Sequence, residues 1–281
     1  MTIAAIVPAA GASLRMRRPK LLIEFDGRPL IARVVATLIE AGVDRVVVVA
    51  PPADAPEGPA VADAAEAAGA VVLSPSTRPE SMRDSIELGV AEIDRLDPPP
   101  RAVLIVPADS PRLGAGTVAR LVDAWRARPD RIMAPTFGGR RGHPPVFPWP
   151  MLRAVRDLPP GVGVNQLLVT HADMIDPVPM ETDSVLGDMD TPDDARRLRT
   201  WPVRLFAVAR QRAGRVEVTV ALPCPATVGD LRRALAEQHP ALATLATSVR
   251  VAVDDEYADD AAPLPPDARL ALIPPVSGGQ R

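Results

Sequence analysis

The stretch AVLIVPADSP, residues 102–111, decides the fold class of this chain. Its first five residues are all apolar, and the run is too short to be a helix. A continuously apolar strand is typical of a parallel sheet whose two faces are both buried. Asp109 follows directly, at the carboxyl end of the strand, where open α/β sheets bind their ligands. The stretch therefore predicts an α/β domain with a functional site next to Asp109.

The same pattern recurs through roughly the first 200 residues. Short runs rich in β-branched residues alternate with segments whose apolar residues recur every three to four positions. The predicted strands are IAAIVPA (3–9), RVVVVA (45–50), AVVLSP (70–75) and AVLIVPAD (102–109), and the predicted helices are PLIARVVATLIEAG (29–42), AVADAAEAAG (60–69), SMRDSIELGVAEIDRL (81–96) and TVARLVDAWRARP (117–129). This alternation predicts a Rossmann-like, mostly parallel sheet with helices on both faces.

The alternation of predicted strands and helices ends near Trp201 and Pro202. Two runs of strand character, VRLFAVAR (203–210) and RVEVTVAL (215–222), are separated by the short polar QRAG, which predicts a hairpin. A helix is then expected from Thr227, its N-cap, to the residues before Pro240, with Asp230 placed as in a capping box. Further strands are expected in SVRVAVDDEYADD (248–260) and ARLALIPPV (268–276). This order is that of a small α+β, ubiquitin-like β-grasp, so we expect one domain over 1–200 and a second over 203–281.

Composition narrows the classes of partner. A chain of 281 residues is long enough for two domains. Its net charge of −3 does not favour nucleic acid or an anionic membrane, and no apolar stretch reaches the length of about 18 residues that a membrane span needs. The only cysteine, Cys224, cannot pair within the chain, and no signal peptide is visible. We therefore expect a cytoplasmic protein in which Cys224 has a packing or turn role.

The loop VPAAGASLRMRRPKLL, residues 7–22, lies between the first strand and the first helix. Its small residues allow backbone N–H groups to approach a ligand closely, and its four basic side chains add positive charge. The small residues are Ala9, Ala10, Gly11 and Ala12, and the basic ones are Arg15, Arg17, Arg18 and Lys20. This composition suits a polyphosphate, although a solvated basic loop without a ligand has the same composition. The loop is neither a Walker motif nor a dinucleotide fingerprint.

Three aspartates complete the candidate site. Asp109 can hold Mg²⁺ against phosphates, or it can be a turn aspartate before Pro111. Asp188 and Asp190 precede a predicted helix in GDMDTPDDARRL, residues 187–198. Thr191 and the residues after it are explained by helix capping, but the two earlier aspartates are not.

Four motifs, VPAAGASLRMRRPKLL, PADSP, RGHPPVF (141–147) and DMDTPDD, together resemble the MobA-like nucleotidyltransferases. The resemblance is greatest to the branch that transfers a cytidylyl group to the molybdenum cofactor. It implies that the loop binds the triphosphate, that Arg15 and Lys20 neutralise the phosphates, and that Asp109 binds Mg²⁺ with Asp190 near the metal. Ala-Ala-Gly at positions 9–11 resembles the users of CTP more than those of GTP. Arg17 departs from the family, which usually has glycine there, and this bears on how the phosphates are gripped.

The resemblance also assigns contacts outside the loop. RDSIELG, residues 83–89, resembles a stretch of other cytidylyltransferases in which Arg83 and Ser85 would face the nucleotide, although an ordinary amphipathic helix fits as well. His143 is a candidate acceptor contact or, equally, a simple loop histidine. The predicted catalytic residues are Lys20, Arg15 and Asp109; the predicted nucleotide contacts are Ala9, Ala10, Gly11, Ser13, Arg15, Lys20, Arg83 and Ser85; the predicted metal ligands are Asp109 and Asp190.

The implied reaction is in-line attack by a phosphate of the acceptor, molybdopterin or the molybdenum cofactor, on the α-phosphorus of CTP. Positioning and charge neutralisation would carry the catalysis. A phosphate nucleophile is already ionised at pH 7, so no general base is needed.

The stretch from about residue 203 to the end resembles the small subunit of molybdopterin synthase, a ubiquitin-like sulfur carrier. In that family the terminal glycine carboxylate is adenylated by an E1-like enzyme and becomes a thiocarboxylate, which acts with the large synthase subunit. Gly278 and Gly279 match this tail, since residues without Cβ atoms pass through a narrow channel. Because Gln280 and Arg281 follow, either a protease trims them or the domain only docks.

Two other functions remain open at this point. The first is a nucleotidyltransferase acting on another phosphorylated acceptor, such as a sugar phosphate or methylerythritol phosphate. The second is a non-catalytic adaptor that presents the cofactor to molybdoenzymes, and it would bind nucleotide without Mg²⁺-dependent turnover.

Overall fold

The apolar runs of the sequence form buried strands in a computed structural model of the chain. The structure describes residues 2–12, 19–25, 27–187, 198–246, 248–265 and 267–274. It divides into two compact units, the first made of Met1–Leu113 and Thr117–Asp190 and the second of Gly114–Gly116 and Thr191–Arg281. The exact predicted boundaries, 1–200 and 203–281, remain a prediction.

The first unit is built on a twisted, mostly parallel sheet. Its strands, with a two-stranded ribbon formed by β2 and β3, are β1 Ile3–Pro8, β2 Glu24–Phe25, β3 Arg28–Pro29, β4 Arg45–Val49, β5 Val71–Leu73, β6 Ala102–Ile105, β7 Ile132–Phe137, β8 Arg140–Arg141, β9 Val146–Pro148 and β10 Ile175–Pro179. The order across the large sheet is β5-β4-β1-β6-β9-β7-β10, with β8 paired to β7. Among the described strands of the large sheet, only β9 and β8 run antiparallel to their neighbours.

Helices cover this sheet because their apolar residues recur at helical spacing. They are α1 Leu30–Glu40, α2 Gly58–Ala67, α3 Met82–Ile93, α4 Ala115–Ala127, α5 Trp149–Arg153 and α6 Asn165–Thr170. Helix α1 buries one continuous stripe that includes Ile31, Val34 and Leu38. Helix α3 begins at a capping box in which Ser81 and Asp84 satisfy each other's backbone amides. All eight predicted strands and helices of this unit are confirmed.

The connections around β1 create the place for a site. Strand β4 lies parallel to β1 on one side and β6 lies parallel to it on the other. The loops that follow β1 and β6 therefore leave the same edge of the sheet and diverge, which is the topological switch point where open α/β sheets bind ligands. The predicted phosphate loop and Asp109 are on these two loops.

The second unit is a β-grasp, as predicted. Its elements are β11 Leu198–Leu205, α7 Ala207–Ala213, β12 Glu217–Pro223, α8 Val228–Gln238, α9 Ala243–Ala246, β13 Arg250–Val253, β14 Glu256–Ala258 and β15 Leu270–Ile273. The sheet order is β12-β11-β15-β13-β14, with β11 and β15 parallel. Helix α8 packs Leu231 and Leu235 into a core that contains the fully buried Trp201. The predicted capping box of Thr227 and Asp230 starts this helix.

One local prediction in this unit is wrong. Strands β11 and β12 do form an antiparallel hairpin, but QRAG is not a short turn between them. Residues Ala207–Ala213 form a two-turn helix that Gly214 ends with φ of 67°. The alanines, arginines and glutamine of this segment are good helix formers, and glycine tolerates the left-handed conformation that ends a helix. Strand β11 also runs straight through Trp201 and Pro202.

Candidate active site

The loop after β1 offers backbone groups at the edge of the sheet. Ala9 and Ala10 are buried, whereas Gly11 and Ala12 are exposed. The N–H of Ala9 donates to the carbonyl of Val49 at 2.9 Å, so it is used within the protein, and a contact of Ala9 with the nucleotide stays a prediction. A Cβ built on Gly11 would meet no atom of the described residues within 4 Å. Packing within the described protein therefore does not require glycine here, and the open space lies where a ligand could approach the backbone.

Ser13 and Arg15 lie outside the described residues, as do Arg17 and Arg18. Their predicted contacts with the triphosphate therefore stay predictions.

Lys20 and Asp109 meet across the switch point. Lys20 begins a 3₁₀ turn, Lys20–Leu22, which the buried side chain of Leu21 anchors. The Nζ atom of Lys20 donates to the carboxylate of Asp109, and the two side chains are only 16% and 18% exposed. Charges that are largely withdrawn from water interact more strongly than exposed ones. The pair therefore places a fixed cation and a fixed carboxylate at the carboxyl ends of two adjacent strands.

Hydrogen bonds hold the loop that carries Asp109 at both of its ends. The Nε atom of Arg33 donates to the carbonyl of Pro111 at 3.1 Å, and the N–H of Val106 donates to the carbonyl of Ile6 at 3.0 Å. These bonds fix both ends of the loop, so Asp109 has a defined position relative to β1.

A cavity of about 790 Å³ opens beside this pair. Pro8, Pro107 and Asp109 form its sheet edge, Ile105 and Phe147 form its apolar floor, and the first turns of α3 form one wall. The opposite wall is the loop of residues 160–165. The volume falls within the range of small-molecule sites, and the few polar groups on an apolar lining are typical of them.

Arg83 lines the cavity, but its guanidinium is occupied by the protein. It donates to the carboxylate of Glu87 at 2.6 Å and to the carbonyls of Leu158 at 2.7 Å and Val162 at 3.1 Å, and it also donates to Pro159. The side chain is 13% exposed. Arg83 thus ties the opposite wall of the cavity to α3.

Ser85 does not line the cavity. It lies on the buried face of α3 and is 4% exposed, with its hydroxyl 3.5 Å from the carbonyl of Ser81. The expectation that Ser85 faces the nucleotide is not met in the described geometry, because the helix turns this position towards the core. The alternative of an ordinary amphipathic helix explains Ser85 better.

His143 lines the cavity. Its side chain is exposed, and its backbone N–H donates to the carbonyl of Val185 at 2.8 Å. The neighbouring Gly142 packs so closely against Val185 that a Cβ there would clash with the Val185 backbone. The chain leading to the predicted aspartate pair therefore passes directly beside His143. Asp188 and Asp190 themselves lie outside the described residues.

Asp109 offers Mg²⁺ a carboxylate at the edge of the cavity, whereas Asp84 and Glu87, which also line it, are bonded to Ser81 and Arg83. Among them, no group of three or more histidine, cysteine, aspartate or glutamate side chains is arranged to hold a metal ion. Mg²⁺ commonly binds through one or two carboxylates, substrate phosphates and water. Asp109 at the edge of the cavity fits that mode of binding.

Sequence reasoning missed Arg78, which follows β5. Its guanidinium donates to the carbonyl of Ala10 and, at 2.7 Å, to the carboxylate of Glu57. This hydrogen bond from Arg78 lowers the pKa of the Glu57 carboxyl, against the smaller opposing effect of burial. No periodicity or motif marks Arg78, since it lies in an irregular segment, STRPES, 68 positions from Ala10.

In the second unit, Cys224 is a free, partly buried thiol that packs against the hydrophobic core. The tail residues Gly278 and Gly279 lie outside the described residues, as do Gln280 and Arg281. In the ranges described above, no helix is both long and apolar enough to span a membrane.

Both units match models of known protein families. The family model of the MobA-like NTP transferase domain matches residues 5–175, more than half of the chain. The model of the ThiS family matches residues 203–279. A stretch of 79 residues is 39% identical to the molybdopterin synthase sulfur carrier subunit of Caenorhabditis briggsae, covering 27% of this chain and 94% of that protein.

Two further relatives concern the transferase fold. A stretch of 108 residues is 40% identical to the 2-C-methyl-D-erythritol 4-phosphate cytidylyltransferase of Saccharopolyspora erythraea, covering 37% of this chain and 46% of that protein, less than half of its length. The structure of a nucleotidyl transferase from Methanothermobacter thermautotrophicus superposes with a TM-score of 0.59 at 21% identity, covering 70% of this chain and 95% of that one. The chain therefore belongs to the MobA-like NTP transferase family, with a ThiS-family sulfur-carrier domain fused behind the transferase domain.

Proposed function

We propose that the first domain transfers CMP from CTP to a phosphate of molybdopterin or the molybdenum cofactor and releases pyrophosphate. The observation that carries this proposal is the Lys20–Asp109 pair at the switch point of the sheet, beside a cavity of about 790 Å³. A cation and a carboxylate at this edge are what a nucleoside triphosphate and its divalent metal require.

In the proposed reaction, an oxygen of the acceptor phosphate attacks the α-phosphorus of CTP. The bond from this phosphorus to the bridging oxygen breaks, and pyrophosphate leaves with the bonding electrons. Lys20 donates to the phosphates on which negative charge develops, as does Arg15 in the proposal, and the amides of Ala10 and Gly11 add backbone donors. No proton has to be removed from the acceptor, so the site needs no general base.

Mg²⁺, held by Asp109 and in the proposal also by Asp190, would supply positive charge against the same phosphates. Without nucleotide, Lys20 is already paired with Asp109. The existing pair therefore holds Lys20 in place before the nucleotide arrives, and this reduces the cost of ordering its long side chain.

CTP is proposed rather than GTP on two grounds. The small residues at positions 9–11 match the pattern of CTP users, and a relative at 40% identity is named a cytidylyltransferase. Arg83 and Ser13 remain in the proposal as residues near the nucleotide, Arg83 by shaping the cavity wall. Manganese and magnesium both suit a site made of carboxylates and phosphates. We propose Mg²⁺, because it is the metal ion that phosphoryl-transfer enzymes commonly use.

Molybdopterin is proposed as the acceptor because of the second domain. A sulfur carrier of molybdopterin synthase is the relative at 39% identity, so the two halves would serve one cytoplasmic pathway. His143, exposed at the cavity, is the proposed acceptor contact. A second acceptor, methylerythritol phosphate, is favoured by the name of the cytidylyltransferase relative.

For the second domain we propose sulfur carriage through Gly279 after Gln280 and Arg281 have been removed. Its partners would be the large subunit of molybdopterin synthase and the E1-like enzyme, and the finished cofactor would pass to molybdoenzymes. The intact mass of the protein from its native cells tests this. A chain ending at Gly279, with sulfur in place of one oxygen, supports carriage, whereas a wholly full-length population leaves the domain as a docking module.

The transferase proposal is tested by pyrophosphate release from four mixtures that combine CTP or GTP with molybdopterin or methylerythritol phosphate. We expect pyrophosphate release only in the mixture of CTP with molybdopterin. Chelation of divalent metal should abolish this release. Release with methylerythritol phosphate would transfer the proposal to the second acceptor. Nucleotide binding without release in any mixture would favour the non-catalytic adaptor.

A further inference from the structure

Arg78 joins three separate segments of the first domain. One arm of its guanidinium donates to the carbonyl of Ala10 in the loop after β1. The other arm donates to Glu57, which lies at the start of α2, at 2.7 Å. Arg78 itself belongs to the segment between β5 and α3. Neither the predicted catalytic residues nor the cavity lining includes it.

The contact with Ala10 fixes the direction of a particular amide. The carbonyl of Ala10 and the N–H of Gly11 belong to one planar, trans peptide unit, so they point in opposite directions. A cation that holds this carbonyl on one side turns the N–H of Gly11 to the other side. Gly11 is exposed, and a Cβ at this position would meet no atom of the described residues within 4 Å. An anion can therefore approach the backbone of Gly11.

An arginine suits this task better than a lysine. The planar guanidinium presents several donors in a fixed fork and can bind two acceptors at once. Glu57 completes the arrangement, because its charge is retained over a wide pH range: the hydrogen bond from Arg78 holds the pKa of Glu57 below its ordinary value. An ionised Glu57 keeps the guanidinium from swinging away from Ala10 towards the anion.

We propose that Arg78 is a positioning residue for nucleotide binding: anchored by Glu57, it holds the Ala10 carbonyl and so aims the Gly11 amide at the phosphates. This inference rests on the proposed nucleotidyl transfer for the identity of its ligand. Arg78 would thus support the site without touching the substrate.

The experiment compares four full-length proteins: the wild type, Arg78→Met, Arg78→Lys and a control, Arg156→Met. Arg156 forms an ion pair with Asp94 at 2.9 Å, and its exposure of 35% is close to the 31% of Arg78. Two quantities are measured, the backbone order parameter of the Gly11 amide from nitrogen-15 relaxation without ligand and the dissociation constant for CTP with Mg²⁺. Thermal unfolding of each variant reports on the fold as a whole.

For Arg78→Met we expect the order parameter of the Gly11 amide to fall and the dissociation constant for CTP to rise about tenfold or more, as for loss of a hydrogen bond to a charged group. Arg78→Lys should lie between this variant and the wild type, since an ammonium can still reach one acceptor. The control should match the wild type in both measurements.

An unchanged order parameter of Gly11 in Arg78→Met overturns the inference. A lower order parameter with an unchanged affinity for CTP overturns it as well, because Arg78 would then be merely structural. If the wild type binds no CTP, the proposed function fails, while the order parameter still decides whether Arg78 holds the loop.

Discussion

Replacing Gly11 with alanine should affect folding and nucleotide binding in opposite directions. Gly11 does not have a positive φ, and a Cβ there would touch no atom within 4 Å in the part of the chain that the structure describes. The folded protein can therefore accept alanine without strain, and the unfolded chain loses conformational freedom. We expect Gly11→Ala to raise the free energy of unfolding by about 0.4–1 kcal/mol.

Binding should weaken, because the added methyl group occupies the space through which a phosphate approaches the Gly11 amide. Loss of one hydrogen bond between an amide and a charged group costs about 1.5–3 kcal/mol. At about 1.4 kcal/mol for each tenfold change, the dissociation constant for CTP should rise between roughly tenfold and a hundredfold. Isothermal titration with CTP and Mg²⁺, together with urea unfolding, measures both effects.

Gly163→Ala is the matched control. Gly163 also has open space around its Cβ position and no positive φ, but it lies on the opposite wall of the cavity. Gly163→Ala should show the same small gain in stability, so it controls for the effect of the added methyl group on folding. Unweakened binding of CTP by Gly11→Ala would refute close approach of the phosphates to this loop.

Three further changes test other parts of the account. Arg83→Met removes the donors to the opposite cavity wall, so hydrogen exchange in residues 158–164 should rise and the KM for the acceptor should rise about tenfold in steady-state kinetics. Gln238→Leu leaves the N–H and carbonyl of Ala221 buried without their present partners, which should destabilise the second domain by about 2–4 kcal/mol in urea unfolding. For Asp230, burial opposes ionisation, but hydrogen bonds from Thr227 and an ion pair with an arginine lower its pKa overall. A lowered pKa in the folded state gives stability that is present above about pH 4 and lost as the pH falls further, so Asp230→Asn should flatten the decline of the unfolding midpoint between about pH 5 and about pH 3.

The sequence allowed most of the architecture to be predicted because the strands of the first domain are apolar throughout and the helices have a clear period. The segment Ala207–Ala213 was misread, because VRLFAVAR has the alternation of a strand while its second half has the composition of a helix. The tertiary structure decided between the two.

The candidate site was predictable only in part. Lys20 and Asp109 come from motifs of the family, and the parallel order of β1 and β6 brings them together across 89 positions. Ser85 was misplaced because one residue of difference along a helix turns a side chain by about 100°, from the cavity to the core. Arg78 has no sequence signature, since its role arises only from the way that three loops meet.

Catalysis at the Lys20–Asp109 pair is tested most directly by measuring Mg²⁺-dependent pyrophosphate release from CTP and molybdopterin by Asp109→Asn. The control is Asp94→Asn, which removes a carboxylate paired with two arginines away from the cavity. We expect Asp109→Asn to lose at least about a hundredfold in turnover while it remains folded. The control should keep the wild-type rate. Wild-type turnover in Asp109→Asn would contradict catalysis at the Lys20–Asp109 pair.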